Sequence, residues 1–332
     1  MDFRLTPEQT GFAQSLGELL AKADSVAAAR AWAAGDAEPG LELWRRLAEQ
    51  GVNALVVPDE QGGLGGTAVD LVVAFEVLGH HLAVGPWIES AAYLARALDG
   101  EELTAVAEGA MATVAVPPLV PYALDADAAE HVYVSVVGGF EPVADAPSPT
   151  TGMRSVDTTR RLFDLSERSS PVVEEGEERT RLEATSEQLS DAFDLAVLAC
   201  SAELLGCGER LLADSVDYVK QRKQYGRTIG SYQAIKHSLA DVRIALDFAR
   251  PLVLGAALDD DDRSRSASAA KVAAADAAYP ASRVALQVHG AIGYTAEFDL
   301  GLWINRVRAL VGAWGGPAYH RGRIADSLAE ER

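Results

Sequence analysis

Apolar residues recur at helical spacing along roughly the first hundred positions, give way to short valine-rich runs, and return to helical spacing towards the end. Thr6, followed by Pro7 and Gln9, has the form of a helix start. It offers a hydroxyl cap, a proline whose missing N–H costs nothing at the first position, and an amide able to reach back. Phe12, Leu16, Leu19 and Leu20 then share one helical face. A second amphipathic stretch runs through Leu41, Trp44, Leu47 and Ala48 and stops at Gly51. A short apolar run, Ala54 to Val57, precedes Pro58, and the loop Gln61-Gly62-Gly63-Leu64-Gly65-Gly66 interrupts regular structure. Further helices are predicted over about 68–82 and 90–97, so residues 1–108 read as an N-terminal helical domain.

The pattern changes at about Ala110. Prolines appear at 117, 118, 121, 142, 147 and 149, and the runs 112–116 and 131–137 suit strands better than helices, with 161–165 as a third strand. The acidic run Glu174, Glu175, Glu177, Glu178 reads as a solvated loop. Residues 109–185 are thus expected to be a reduced middle β-domain. From Ser186 the helical period resumes in three long segments, about 186–220, 231–258 and 264–289, with a shorter stretch after Pro317. Long helices with short antiparallel connections make a bundle, so 186–332 is expected to be a C-terminal four-helix bundle in a mainly α chain.

A net charge of −20 disfavours broad contact with nucleic acid or an anionic membrane. The two cysteines, Cys200 and Cys207, stand seven positions apart in an apolar stretch and read as core thiols, with neither a disulfide framework nor metal-ligand spacing. No stretch is long and apolar enough for a membrane span, and the start shows no basic segment leading into an apolar one, so a cytoplasmic location is expected.

Candidate chemistry lies in the last third. Arg222 offers a planar fork of donors suited to a pyrophosphate. Tyr225 supplies a stacking face and Gln233 an amide. Gly290 and Gly293, at a helix end, permit close approach of the backbone to a phosphate. Taken singly, Arg222 is compatible with a surface salt bridge and the glycines with a helix cap.

Three longer motifs bind these residues together. Leu43-Trp44 through Pro58-Asp59-Glu60-Gln61-Gly62-Gly63-Leu64-Gly65, then Gln221-Arg222-Lys223-Gln224-Tyr225-Gly226-Arg227-Thr228-Ile229 with Tyr232-Gln233-Ala234-Ile235, and finally Gln287-Val288-His289-Gly290-Ala291-Ile292-Gly293-Tyr294 stand in that order. In order and spacing they resemble the acyl-CoA dehydrogenase family. The resemblance implies FAD, held mainly by a neighbouring subunit and contacted across an interface by Arg222, Gln224, Tyr225, Ile229, Gln233, Gln287, Gly290 and Ala291.

The chain also departs from the family pattern. α,β-Dehydrogenation needs a carboxylate to remove the α-proton, and the family's glutamate precedes the last helix. Aligned without a gap on Arg308 and Arg321, that position holds Trp314, and a one-residue shift gives Gly315. An alternative base position on the first long bundle helix holds Ala196, and Val197 replaces a family arginine, while Asp194 matches a family aspartate. Glu203 is an acid deep in the same helix and reads as structural rather than as a replacement base. The family's flavin-platform segments have no counterpart between Met111 and Thr185.

The resulting expectation is a base-lacking subunit that completes the FAD site of a catalytic acyl-CoA dehydrogenase partner, in an α2β2 assembly of the kind that acts on steroid side-chain thioesters. Two other readings remain open: a self-sufficient homo-oligomer with a relocated base, and a non-enzymatic scaffold. In each enzymatic case an oligomer is expected, through the alanine-rich bundle.

Overall fold

The computed structural model describes residues 2–166, 181–259, 261–295 and 297–331. The acidic run at 174–178 lies outside the described residues. Helices α1 (Pro7–Lys22), α2 (Ser25–Ala33), α3 (Glu38–Glu49) and α4 (Ala68–His81) come first. A buried π-helical turn, Ile88–Leu94, runs into α5 (Ala95–Ala97), and α6 (Gly100–Ala107) closes the helical start. The cap foreseen at Thr6 forms: its hydroxyl accepts from Gln9 N at 3.2 Å, and Gln9 Oε1 accepts from Thr6 N at 3.0 Å. α2 was not foreseen, because an alanine-rich segment carries little contrast between its faces, although Ala28, Ala29 and Trp32 are buried.

The middle region holds β1 (Ala112–Ala115), β2 (Tyr122–Leu124), β3 (His131–Val136), β4 (Gly139–Pro142), β5 (Met153–Arg154), β6 (Arg161–Asp164) and β7 (Leu182–Glu183). They form a four-stranded sheet, β1-β3-β4-β7, and a three-stranded one, β2-β6-β5. β1 and β3 pair in parallel, with Ala112 opposite His131, and the other pairings are antiparallel. The strands read at 112–116, 131–137 and 161–165 are present as β1, β3 and β6. The short β2, β4, β5 and β7 carry too few residues for a period to show.

The last part comprises α7 (Ser186–Gln221), the hairpin β8 (Lys223–Gln224) and β9 (Arg227–Thr228), α8 (Gln233–Ala257), α9 (Arg263–His289), α10 (Leu300–Gly312) and α11 (Pro317–Glu330). α9 packs on α8, α10 and α11. α10 was passed over in the sequence, although Leu300, Trp303, Val307 and Leu310 keep helical spacing and are all buried.

By packing, the described chain groups into two compact units, one of Met1–Val26, Val72–Ala83 and Cys200–Arg332, the other of Ala27–Leu71 and Val84–Ala199. The division 1–108, 109–185 and 186–332 orders the chain by element type; packing groups it otherwise. Within the first unit, α4 and α7 cross with main chains in contact. A side chain at Gly79 would run into the carbonyl of Glu203, and one at Gly206 into that of Glu76. Such reciprocal glycines cost helix propensity and are retained for close approach. Cys207 is buried beside them, with Sγ 3.4 Å from Gly79 O.

In the second unit Trp44 stacks on Trp87, with centroids 3.7 Å apart, and donates to Gly109 O at 2.8 Å. Trp32 donates to the buried Asp125 at 3.2 Å and lies under the Arg161 guanidinium. Among the described residues no helix is long and apolar enough to cross a membrane, and no cluster of His, Cys, Asp and Glu is arranged to hold a metal ion.

Candidate functional site

The site lies in the first unit, at the end of the bundle where α7 finishes, α8 begins and α9 finishes. α8 and α9 are joined by residues 258–262 and run antiparallel, so Gln233 and His289 belong to the same end. Tyr218, one turn before Arg222, stacks on His289 at 4.2 Å, which fixes the two motif segments against each other. His289 also hydrogen-bonds Ala285 O through Nδ1 at 2.8 Å, and burial lowers its pKa.

Between α7 and α8 the chain makes a two-residue hairpin in which Lys223 pairs with Thr228 and Gln224 with Arg227. Tyr225 (φ 51°) and Gly226 (φ 79°) both have positive φ, the conformation that matches a tight turn to the twist of its strands. The turn therefore holds Tyr225 outward, 91% exposed. Arg227 lies over the Tyr232 ring at 3.9 Å, stiffening the base of the hairpin, and Arg222 O accepts from Ile229 N at 2.8 Å.

The family-motif residues occupy one solvent-facing end. Arg222, Gln224, Gln233, Gln287 and Ala291 are exposed, and Ile229 and Gly290 partly so. Arg222 makes no ion pair among the described residues, so the surface salt bridge considered for it is not formed. Gly290 takes φ 64°, and the space where a side chain would stand is open, while its own N–H donates to Leu286 O. Gly293 differs. It is buried, with Leu286 and His289 packed where a Cβ would go, so it serves the chain's own packing.

The stretch aligned with the family base lies elsewhere in the same unit and is closed. Trp314 is wholly buried at φ 55° and Gly315 sits at φ 92°. A side chain at position 315 would meet the Tyr319 ring and His320 Nε2, so the position cannot take a glutamate without rearrangement. Lys271, fully buried on α9, donates to the carbonyls of Leu310 at 2.9 Å, Val311 at 3.3 Å, Ala313 at 2.9 Å and Gly315 at 3.2 Å. It thereby caps the C-terminal end of α10, where carbonyls are left over. Burial lowers its pKa, and Cys200, which shares Leu310 O at 3.5 Å, works the other way.

His320 completes the enclosure. It lies 3.0 Å from Trp314 O through Nε2 and 3.2 Å from Ser268 Oγ through Nδ1. Burial pushes its pKa down to about 4, so the ring is neutral near pH 7 and its Nε2–H donates to the Trp314 carbonyl. Neither Lys271 nor His320 was singled out in the sequence. The available signal was a lysine among alanines, in helical register with the buried Ala267, Ala274 and Ala278.

Of the remaining acids, Glu203 accepts from the buried Arg306 at 2.7 Å, and Arg306 also donates to Ala83 O. Asp194 is buried, and Ala196 and Val197 are apolar and inaccessible.

Residues 6–114 match the N-terminal domain of acyl-CoA dehydrogenases, and residues 187–329 match their C-terminal domain. The chain belongs to the acyl-CoA dehydrogenase family. Members of that family bind FAD and are oxidoreductases acting on CH–CH bonds. The chain is 32% identical over 320 residues to the acyl-CoA dehydrogenase IpdE2 of Mycobacterium tuberculosis, covering 91% of this chain and 92% of that one. The IpdE2 of Mycolicibacterium smegmatis is 31% identical over 96% of this chain and 98% of its own. The fold matches a chain of the ChsE4–ChsE5 complex of M. tuberculosis (TM-score 0.79, 21% identity, 99% of each chain). It also matches one of the Tcur3481–Tcur3483 steroid acyl-CoA dehydrogenase (TM-score 0.78, 22% identity, 98% of each chain).

Proposed function

We propose that this chain is a base-lacking subunit of a heteromeric acyl-CoA dehydrogenase, completing the FAD site of a partner that carries the catalytic glutamate, in an α2β2 assembly. The observation that carries the reading is the contrast inside one unit: the stretch aligned with the family base holds a buried tryptophan in a capped loop, while the end that holds Arg222 is largely exposed and Arg222 makes no ion pair among the described residues. The donor set fits a dinucleotide. Arg222 presents a guanidinium fork to a pyrophosphate, Gly290 and Ala291 a stretch with no large side chain, Tyr225 a stacking surface, and Gln224, Gln233 and Gln287 amides, with Ile229 alongside.

FAD, when bound, would supply hydride acceptance during α,β-dehydrogenation of an acyl-CoA thioester. This chain's residues would bind and orient its nucleotide half, while the α-proton would pass to a carboxylate of the partner. A bulky acyl group of steroid type is supported by the fold match to the steroid enzyme. On this reading the segments 1–108, 109–185 and 186–332 correspond to the family's three domains, the middle one reduced.

Co-expression with a complete family member tests it. The pair should co-purify with flavin and oxidise acyl-CoA, and Arg222→Ala in this chain should lower flavin retention while the complex stays intact. A chain that takes up FAD and turns over by itself would favour the self-sufficient homo-oligomer instead.

A further inference from the structure

One buried nitrogen at the motif end of the bundle goes without a hydrogen bond. His289 is 5% exposed, and its Nε2 has no partner among the described residues. Its Nδ1 stands 2.8 Å from Ala285 O, and a carbonyl only accepts, so in the neutral ring Nδ1 carries the proton and Nε2 is a bare acceptor. Two rings from other segments hold it in place. Tyr218 of α7 stacks on it at 4.2 Å with 29° between the planes, and Phe298, just before α10, lies at 5.3 Å. The turn after α9 presses on the same residue, since a Cβ at Gly293 would come within 3.3 Å of His289 Cβ.

We propose that His289 is the positioning residue of this end: its neutral ring latches the last turn of α9, and with it Gly290 and Ala291, to the last turn of α7, and protonation undoes the latch. What the end binds rests on the flavin reading above; the latch itself does not. Tyr218 lies one turn before Arg222, and His289 directly precedes Gly290, so one stacked pair sets the guanidinium against the glycine cap. A protonated ring would carry a second N–H, on Nε2, into a buried place where no described group accepts it. The ionisable groups facing the ring are Tyr218 and Asp214 of α7, while Glu297 and Asp299, on either side of Phe298, reach solvent. Asp214 is already engaged by Arg210 Nε, 2.9 Å from each of its oxygens. Burial accordingly pushes the pKa of His289 below the ordinary histidine value, with the Ala285 carbonyl and Asp214 working the other way. The closed ring therefore stays neutral where an opened one takes up a proton, and opening is favoured as pH falls.

Hydrogen–deuterium exchange on the full chain without flavin, corrected for the intrinsic pH dependence of amide exchange, tests it in peptides spanning 214–222 and 284–295. In the wild type the protection of both should fall about ten-fold between about pH 7.5 and pH 5.5. That is the ratio for a ring that titrates at the ordinary 6.5 when open and stays neutral when closed. His289→Phe keeps a ring between Tyr218 and Phe298 but cannot charge, and should hold its protection across that range. His289→Ala should lose protection in both segments at either pH. His80, His81 and His320 are present in all three chains, so the difference belongs to His289. Equal pH dependence in the wild type and His289→Phe overturns the proposal, and so does wild-type protection in His289→Ala; if His289→Ala folds poorly, the first comparison decides alone. Failure of the flavin reading shows separately, as a latch that behaves in this way in a complex whose flavin retention is indifferent to Arg222→Ala.

Discussion

One stretch of the bundle carries a family motif and another stands where the family pattern is missing, and the fold treats them in opposite ways. From Arg222 to Gln233 the chain is held outward by a positive-φ turn, and its polar side chains spend little of their capacity within the chain. Between Arg308 and Arg321 the carbonyls of Leu310, Ala313, Trp314 and Gly315 are taken by Lys271 and His320, and Trp314 is buried. Loss of a base alone would leave a hole or a neutral polar residue. Here Trp314 is core, which ties its position to stability, while the 222–233 end is exposed.

The largest effect expected from that difference is catalytic. Without a carboxylate at 314 or 315, the isolated chain supplied with FAD and an acyl-CoA should reduce an artificial electron acceptor slower than a complete enzyme by roughly two to four orders of magnitude, the scale of general-base catalysis. Trp314→Glu should not restore activity, because the carboxylate would stand in a closed interior, between the carbonyls of 313 and 315 that Lys271 caps, rather than open to a substrate. Robust turnover that disappears in Glu203→Gln or Asp194→Asn would break the comparison and relocate the base.

Stability should divide the same two stretches. Trp314→Ala should cost about 3–5 kcal/mol in urea unfolding, as a large buried side chain leaves a cavity. Tyr225→Ala and Arg222→Ala should change stability by under about 0.5 kcal/mol, being exposed and away from caps or packing. Equal costs for Trp314→Ala and Tyr225→Ala would erase the contrast. Lys271→Met should fall between, at about 1–3 kcal/mol: it keeps much of the side-chain volume but strands buried carbonyls that no water replaces.

How much of this could be read in the sequence follows from the range of each interaction. The break between the helical segments ending near 220 and beginning near 231 was legible as an interruption of the period, whereas the hairpin within it, turning at Tyr225-Gly226, was not read. The absence of a carboxylate at 314 was legible as well. That Trp314 lies in a capped loop was not, since its partners, Lys271 and His320, come from α9 and α11 and meet α10 only in the folded bundle. Gly79 and Gly206 were missed for the same reason, each explained only by the other helix. The alanines of α9 pack within the chain, and composition does not say which helix a small face meets.

The smallest effect concerns pH and tests whether His320 belongs to the enclosure as a neutral donor. Its folded pKa of about 4 lies below the ordinary histidine value of 6.5, so the fold favours the uncharged ring. That preference contributes stability in full above about pH 6.5 and loses it as pH falls towards 4, because the unfolded chain takes up the proton first. His81, also lowered to about 4 by burial, adds a slope of the same sign. His320→Gln keeps an N–H for the Trp314 carbonyl but cannot titrate. Its loss of stability between pH 7 and pH 5 should therefore be smaller than that of the wild type, by on the order of 1 kcal/mol, with the contribution of His81 remaining. An unchanged slope would mean that His320 charges without cost, and hence that the loop around Trp314 opens to solvent as readily as the hairpin at Tyr225.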